Sequence, residues 1–84
     1  MAESEVGVIS EFFAHIMVAG IDLTDTIKIG DRLHVKGHTT DFAFTVASMQ
    51  IDNDNVTEAK NGQVVGVKVP DRVRQGDAVY KVTE

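Results

Sequence analysis

Three basic residues lie close together near the C-terminal end of this 84-residue sequence, at Lys68, Arg72 and Arg74. A guanidinium presents a planar fork of N–H donors that matches a carboxylate or a phosphate. We therefore expect Lys68, Arg72 and Arg74 to form a contact surface for RNA or another anion. The alternative is a solvated loop, in which these cations pair with the nearby acids Asp71 and Asp77.

The phenylalanines suggest a second kind of chemistry, which is the docking of another protein. Phe12 and Phe13 are adjacent, so a strand points their rings to opposite faces and leaves one of them exposed. We expect Phe12, Phe13 and Met17 to form a protein-docking patch near the first bend of the chain. Phe42 and Phe44 share one parity, and we expect both rings in the core.

The residues that would support catalysis or metal binding do not form a recognisable site. His34, His38 and Asp41 fall on a strand and its following loop, and no cysteine is present to complete a zinc site. A Gly-x-Ser-x-Gly nucleophile elbow and a phosphate-binding Gly-x-x-x-x-Gly-Lys run are both missing from the sequence. Residues 52–55 lack the spacing of an EF-hand loop and indicate a turn. We predict a non-catalytic protein without metal or cofactor.

Composition limits the partners and the compartment. Thirteen acidic residues against eight basic ones give a net charge of −5, which opposes nonspecific binding to nucleic acid. We expect no DNA partner, and RNA only at a local basic patch. Residues 1–5 are acidic and unlike a signal peptide, and no apolar run approaches the roughly 20 residues of a membrane span. These features predict a cytoplasmic protein that does not bind membranes.

The elements that must position these residues are strands. Short apolar runs rich in Val, Ile and Phe are separated by turn signals about every eight to twelve residues, and no amphipathic helix of useful length is present. We predict a disordered acidic tail over residues 1–5 and a single domain over residues 6–84. Gly30, Gly62 and Gly76 each lie beside polar turn residues, where we expect the chain to reverse.

The longest strand signal covers residues 42–51. Phe42, Phe44 and Val46 have one parity, while Met49 and Ile51 have the other, so we predict a β-bulge at residues 47–48. Closing the sheet would remove the edges that so many short strands leave exposed. We predict an all-β fold, a small closed β-barrel of about six to seven strands.

Several short motifs in register resemble the second, β-barrel domain of elongation factor Tu and its relatives. The matching segments are Ile27–Gly37, Val46–Gln50, Glu58–Val69 and Gln75–Val79. Their order and spacing agree from Val6 to Val82. The resemblance implies the barrel of the translation proteins, present here as a binding module without the GTPase domain.

In elongation factor Tu this barrel also helps to hold the aminoacyl end of transfer RNA. The positions that match the family's contacting residues are occupied here by Gln50, Asp52, Asn53 and Val64. A positive charge is lost and a negative one is gained, which repels phosphate. The resemblance therefore implies a similar shape without the usual acceptor-end binding.

The N-terminal part of the chain departs from that pattern. Gly7–Ile9, Val18–Ala19 and Ile21–Leu23 resemble the barrel at the C-terminus of collagenase-like peptidases. Free-standing chains of this kind resemble the translation elongation factor-like proteins. The resemblance implies translation-related binding of RNA or a ribonucleoprotein as the first hypothesis. The alternative hypothesis is a protein-interaction subunit or partner akin to the peptidase barrel.

Overall fold

The computed structural model describes residues 2–83, which form strands joined by turns and loops. Met1 and Glu84, the outer ends of the predicted tail and domain, lie outside the described residues. Within that range no helix is long and apolar enough to cross a membrane. The strands are β1 (Ala2–Phe13), β2 (Val18–Leu23), β3 (Ile27–Lys28), β4 (Arg32–Lys36), β5 (Asp41–Thr45), β6 (Met49–Ile51), β7 (Asp54–Val56), β8 (Glu58–Ala59), β9 (Val64–Lys68) and β10 (Ala78–Thr83).

Eight of these strands form one antiparallel sheet, which confirms the all-β prediction. The sheet order is β5-β4-β10-β1-β2-β9-β6-β7, and β3 and β8 form a separate two-stranded sheet. The turns at Gly30, Gly62 and Gly76 have φ angles of 93°, 89° and 93°, a left-handed conformation that glycine adopts without steric cost. The predicted chain reversals at these three glycines are confirmed.

The predicted closed barrel is wrong, because the ladder ends at β5 on one side and at β7 on the other. The small sheet of β3 and β8 is not part of this ladder. Ile29 N–H donates to the Thr57 carbonyl at 3.0 Å, next to the Lys28–Glu58 pair of the small sheet. Gly30 N–H donates to the Val46 carbonyl at 2.9 Å, just beyond the Arg32–Thr45 pair of β4 and β5. The described strands therefore form two separate sheets.

The segment predicted as one bulged strand over residues 42–51 is two strands in different parts of the sheet. β5 ends at Thr45 and pairs with β4, whereas β6 begins at Met49 and pairs with β9. Val46 and Met49 are both buried, so the change of parity comes from a connection and not from a bulge. The register shifts that the structure does contain lie in β1, at residues 5–7 and 9–11.

The predicted disordered tail is also wrong within the described residues. Ala2–Glu5 belong to β1 and pair in register with Tyr80–Thr83 of β10. The side chains are exposed, as their acidic composition suggests, but the backbone donors and acceptors are paired. The acidic composition therefore predicts the exposure of these side chains correctly, but the disorder that it predicts for the backbone is wrong.

A single apolar core lies against the inner face of the sheet. Phe44 is buried, as predicted, and Phe42 is half-buried against the same core with the two ring centroids 5.9 Å apart. The buried core residues are Val6, Ile9, Ala19, Ile21, Leu23, Ile27, Leu33, Val35, Phe44, Val46, Met49, Ala59, Val65, Val67, Val69, Val73 and Val79.

Candidate functional site

A groove runs over the outer face of the sheet, where β1, β2, β9 and β6 lie side by side. Glu11 pairs with Gly20, Gly20 with Gly66, and Gly66 with Gln50, so these residues form one row across four strands. Their chain neighbours on β2 and β9 are buried in the core, so this row faces outward. The two glycines contribute no side chain at the centre of the row, and the resulting groove has a volume of about 630 Å³.

Large apolar side chains line this outer-face groove. Phe13 is 42% exposed, Ile16 is 51% exposed and Val64 is 56% exposed, and all three contribute to its walls. Isolated exposed apolar residues are ordinary on a protein surface, but a cluster around a concave site indicates a place where another molecule binds.

The turn between β1 and β2 holds Ile16 at the edge of the outer-face groove. Ile16 N–H donates to the Phe13 carbonyl at 3.3 Å, and Met17 follows with a positive φ of 55°. The Met17 carbonyl accepts from Val69 N–H at 2.9 Å, which fixes the end of the turn against the chain after β9. Ile16 is therefore exposed by a defined turn of the backbone.

The rim of the groove is acidic. Glu11 and Asp52 both line it, together with His15. Asp52 and Asn53 have φ angles of 51° and 67°, the arrangement of a tight hairpin turn with two left-handed residues. Asp52, in this turn, lines the groove together with the apolar side chains, so the groove suits an apolar segment that carries lysine or arginine.

The predicted docking patch is only partly assembled. Phe13 lines the groove, whereas Phe12 is half-buried against the core and Met17 does not line the groove. Nothing in the sequence singles out Ile16, and Val64 is indicated only as a position that matches a transfer RNA contact of elongation factor Tu. The available signal was the pair of glycines that alternate with core residues, Gly20 and Gly66, because a row without side chains on a sheet face leaves a depression.

The positions that correspond to the acceptor-end contacts of elongation factor Tu come together in the same groove. Gln50, Asp52, Asn53 and Val64 all line it. The Gln50 amide donates to Asn55 Oδ1 at 3.0 Å. The chemistry at these positions is neutral or acidic, as the sequence indicated, and gives no binding site for a phosphate.

A second and smaller pocket contains the two arginines. Arg72 and Arg74 line a cavity of about 330 Å³ that also includes Thr39, Thr40, Asp41, Phe42 and Asp71. Lys68, the third predicted cation, does not line this pocket and pairs opposite Val18 at the end of β9. The structure therefore brings two of the three predicted residues together.

The acids near these arginines bind the backbone instead of the guanidinium groups. Arg72 N–H donates to Asp71 Oδ1 at 2.7 Å, and Arg74 N–H donates to Asp77 Oδ2 at 2.9 Å. Among residues 2–83, neither guanidinium has a carboxylate oxygen within 4.0 Å. The charge pairing of these side chains with Asp71 and Asp77, considered as the alternative, is not formed in this part of the chain.

One histidine joins three strands beside the arginine pocket. His34 on β4 contacts Glu3 Oε2 on β1 through Nδ1 at 2.6 Å, and Asp41 Oδ1 on β5 through Nε2. The hydrogen bond with Asp41 and then that with Glu3 raise the pKa of His34 above its ordinary value of 6.5. The same bond lowers the pKa of Asp41 below 3.8. Both ring nitrogens donate when the imidazole is protonated.

This histidine arrangement leaves no free ring nitrogen for a metal ion. His34 and Asp41 are brought together by their hydrogen bond, while His38 remains exposed in the connecting loop. Over residues 2–83 no group of three or more histidine, cysteine or acidic side chains could hold a metal ion.

The sequence of this chain resembles that of a known protein. No family model matches the chain. An uncharacterized protease of Methanocaldococcus jannaschii is 42% identical over 81 residues, which cover 95% of this chain and 20% of the protease. The chain therefore spans about a fifth of the length of that relative.

Two crystal structures resemble the fold closely, and both are of the C-terminal domain of a Geobacillus thermoleovorans protein assigned to the U32 peptidases. The selenomethionine variant has a TM-score of 0.86 at 14% identity and covers 90% of this chain and 96% of that domain. The other structure has a TM-score of 0.88 at 15% identity, with coverage of 93% and 91%. The fold is that of a U32 peptidase C-terminal domain. These matches fit the peptidase part of the predicted resemblance and give no support to translation-related binding.

Proposed function

We propose that this chain is a non-catalytic accessory domain of a U32-type peptidase, and that it binds the peptidase polypeptide through the outer-face groove. The observation that carries the proposal is the groove itself, in which Phe13, Ile16 and Val64 surround the row at Gly20 and Gly66. The groove is concave and has a mainly apolar lining, and such surfaces serve to bind partners.

The partner is suggested by the relative. In the Methanocaldococcus jannaschii protease, the matched 81 residues are accompanied by a polypeptide about four times as long. A small domain that accompanies a larger one presents an apolar patch to it, since burial of apolar area drives association. The peptidase polypeptide, whether continuous with this chain or separate from it, is therefore the occupant that we propose.

The charge of the groove refines the chemistry of that occupant. Glu11 and Asp52 make the rim acidic, and the whole chain carries a net charge of −5. Opposite charges across an interface increase the association rate and select the partner. We expect the bound segment to place apolar side chains against Phe13 and Val64 and lysine or arginine side chains at the rim.

The proposal that the domain is not catalytic is supported by the groove's polar side chains. Ser10 and His15 both line the groove, yet within the described chain no hydrogen bond joins them, so no nucleophile–base pair is formed. His34 binds a carboxylate through each nitrogen and is not available as a base. The absence of cysteine from the sequence supports action in the reducing cytoplasm.

Binding to the relative's own polypeptide tests the docking proposal. The part of the Methanocaldococcus jannaschii protease outside the matched span is purified, and its affinity for this chain is measured by isothermal titration calorimetry. The double variant Phe13→Ser/Ile16→Ser should weaken binding at least about tenfold, since losing two buried apolar side chains at an interface centre costs more than about 1.4 kcal/mol. Gly66→Leu should also weaken binding, by filling the groove.

The matched control is Ile29→Ser, because Ile29 is 40% exposed and lies outside the groove. Its affinity should equal that of the unchanged chain. The relative's own 81-residue span serves as the positive control. If that span binds while this chain does not, or if the groove variants and Ile29→Ser behave alike, the docking proposal is wrong.

A further inference from the structure

We propose that the pocket formed by Arg72 and Arg74 is a binding site for a carboxylate group of a peptide. This arginine pocket shares no lining residue with the outer-face groove, so the two proposals are independent. A carboxylate accepts two parallel hydrogen bonds from the fork of one guanidinium, a geometry that lysine does not offer.

The backbone presents both arginines to one pocket. Val73, between them, is only 2% exposed and is buried in the core. Arg72 N–H and Arg74 N–H are held by Asp71 and Asp77, at 2.7 Å and 2.9 Å. The chain is therefore fixed on both sides of Val73, and the two exposed side chains line the same cavity.

The charges around the pocket leave the guanidinium groups available. Asp41 lies in the lining, but its carboxylate is paired with His34, which carries a positive charge when both ring nitrogens donate. Asp71 accepts a hydrogen bond from a backbone N–H. Neither Arg72 nor Arg74 has an ion pair within residues 2–83, so both can donate to an incoming anion.

The size of the pocket and the charge of the chain favour a peptide carboxylate over RNA. A cavity of about 330 Å³ is at the lower end of the range for small-ligand sites, so it suits a carboxylate with its adjoining residue. Half-buried Phe42 provides an apolar wall for that residue. A long polyanion is repelled by the net charge of −5 along its whole length. A single carboxylate interacts mainly with the two arginines of the pocket.

Amide chemical shifts of the full chain provide the test. The ¹⁵N-labelled protein is titrated separately with N-acetyl-glycyl-glycine, which has a free C-terminal carboxylate, and with N-acetyl-glutamic acid α-amide, which has only a side-chain carboxylate. At least one probe should shift the amides of residues 39–42 and 71–74 saturably. The probe that binds more tightly identifies the source of the carboxylate. N-acetyl-glycyl-glycine amide, which is uncharged, should shift none of them.

The variant Arg72→Gln/Arg74→Gln should raise the dissociation constant at least about tenfold, since hydrogen bonds to charged groups are among the strongest polar contacts. Arg72→Lys/Arg74→Lys keeps the charge without the fork and should bind at an intermediate level. Lys68→Gln is the matched control, because Lys68 is basic and outside the pocket, and its affinity should not change.

The proposal is overturned if neither carboxylate probe shifts these amides, if the uncharged amide shifts them equally, or if the double glutamine variant binds as well as the unchanged chain. A ten-nucleotide uridine RNA is titrated in parallel. Tighter binding of this RNA than of both carboxylates, lost in the same double variant, would also overturn the proposal and identify the pocket as an RNA contact.

Discussion

His34 connects the N-terminal strand with two strands that lie far from it in the sequence. Glu3 lies on β1, His34 on β4 and Asp41 on β5, and in the sheet β10 separates β1 from β4. Tyr80 of β10 pairs opposite His34, and Lys36 adds a positive charge near Asp41. The protonated imidazole therefore links the N-terminal strand to the β4–β5 hairpin by two hydrogen bonds. The contribution of these bonds to stability depends on pH.

The free energy of unfolding should decrease as the pH rises through the raised pKa of His34. Below 6.5 the imidazole is protonated in both the folded and unfolded chain, and its ion pairs contribute fully. Above the folded pKa this contribution is lost. The contribution is small, because solvent screens the exposed Asp41 carboxylate. Urea unfolding over a pH series should show this slope in the unchanged chain.

The variant His34→Gln should remove the slope, and Glu3→Gln should reduce it. Proton NMR of the imidazole ring should also show a pKa above 6.5 that decreases in Asp41→Asn. An unchanged pH slope in His34→Gln would mean that another group is responsible. At the acidic end the sign is reversed, because the lowered pKa of Asp41 gives a contribution that is lost as the pH falls through it.

Gly37 is required by a close approach of the Asp77 side chain. A Cβ at residue 37 would lie 1.9 Å from Asp77 Oδ1 and 2.4 Å from its Cγ. Asp77 is 6% exposed and holds Arg74 N–H, so it cannot move away without losing that bond. We expect Gly37→Ala to destabilise the chain by about 1–3 kcal/mol, the usual cost of overpacking.

Chemical denaturation of Gly37→Ala and Gly66→Ala side by side checks this expectation. At Gly66 the nearest atom to an added Cβ is Val18 Cγ1 at 3.4 Å, which is close to ordinary contact distance. The Gly66→Ala variant should therefore unfold at nearly the same denaturant concentration as the unchanged chain. Equal stability of the two variants would contradict the assigned role of Gly37.

The alternation of residues predicted most strands but not their partners. Val65 and Val67 alternate with outward residues on β9, and this pattern is visible without coordinates. The change of parity between Phe44 and Met49 is compatible with either a bulge or a connection, because parity records facing and not pairing. The choice depends on contacts between distant strands, which local sequence does not contain.

The start of β1 is a second place where local sequence does not predict strand pairing. Residues 2–5 are acidic and exposed, so their composition indicates a free tail. Their order comes from β10, in which Tyr80–Thr83 pair with all four of these residues. Pairing with a distant strand outweighs local composition here, because it satisfies backbone groups that β10 would otherwise leave open.

Deletion of residues 1–5 should destabilise the domain by at least about 1 kcal/mol, since it removes a stretch of backbone pairing and the Glu3 contact to His34. For a domain of this size the melting temperature should fall by about 4–8 °C. Differential scanning calorimetry measures the change. The full-length variant Glu3→Gln/Glu5→Gln keeps the backbone pairs and should lose less than the deletion. A deletion without effect would show that these residues do not contribute to stability.

The two candidate sites differ in how far the sequence could predict them. Arg72 and Arg74 are only two positions apart in the sequence, so their grouping is visible without coordinates. The groove combines residues from β1, β2, β6 and β9, so its members are scattered along the chain and only their row in the sheet reveals them. The adjacency of Phe12 and Phe13 predicts that one of the two rings is exposed, whereas Val64 is indicated only by its match to a family contact position.

The distribution of charge over the whole molecule should make peptidase binding sensitive to salt. The net charge of −5 attracts a basic segment at long range, and the acidic rim at Glu11 and Asp52 concentrates that attraction at the groove. Added salt should therefore lower the association rate, since screening shortens the range of the attraction to about 8 Å at physiological ionic strength. Stopped-flow mixing with the relative's polypeptide, over a series of salt concentrations, measures this dependence.

Two double variants separate the rim from the total charge. Glu11→Gln/Asp52→Asn and Glu5→Gln/Glu58→Gln remove the same number of charges, but Glu5 and Glu58 lie outside the groove. The rim variant should flatten the salt dependence strongly, because it removes the charges nearest the bound segment. The distant variant should flatten it only slightly. Equal effects would mean that net charge alone guides the partner, and a rate that does not depend on salt would show that the bound segment is not basic.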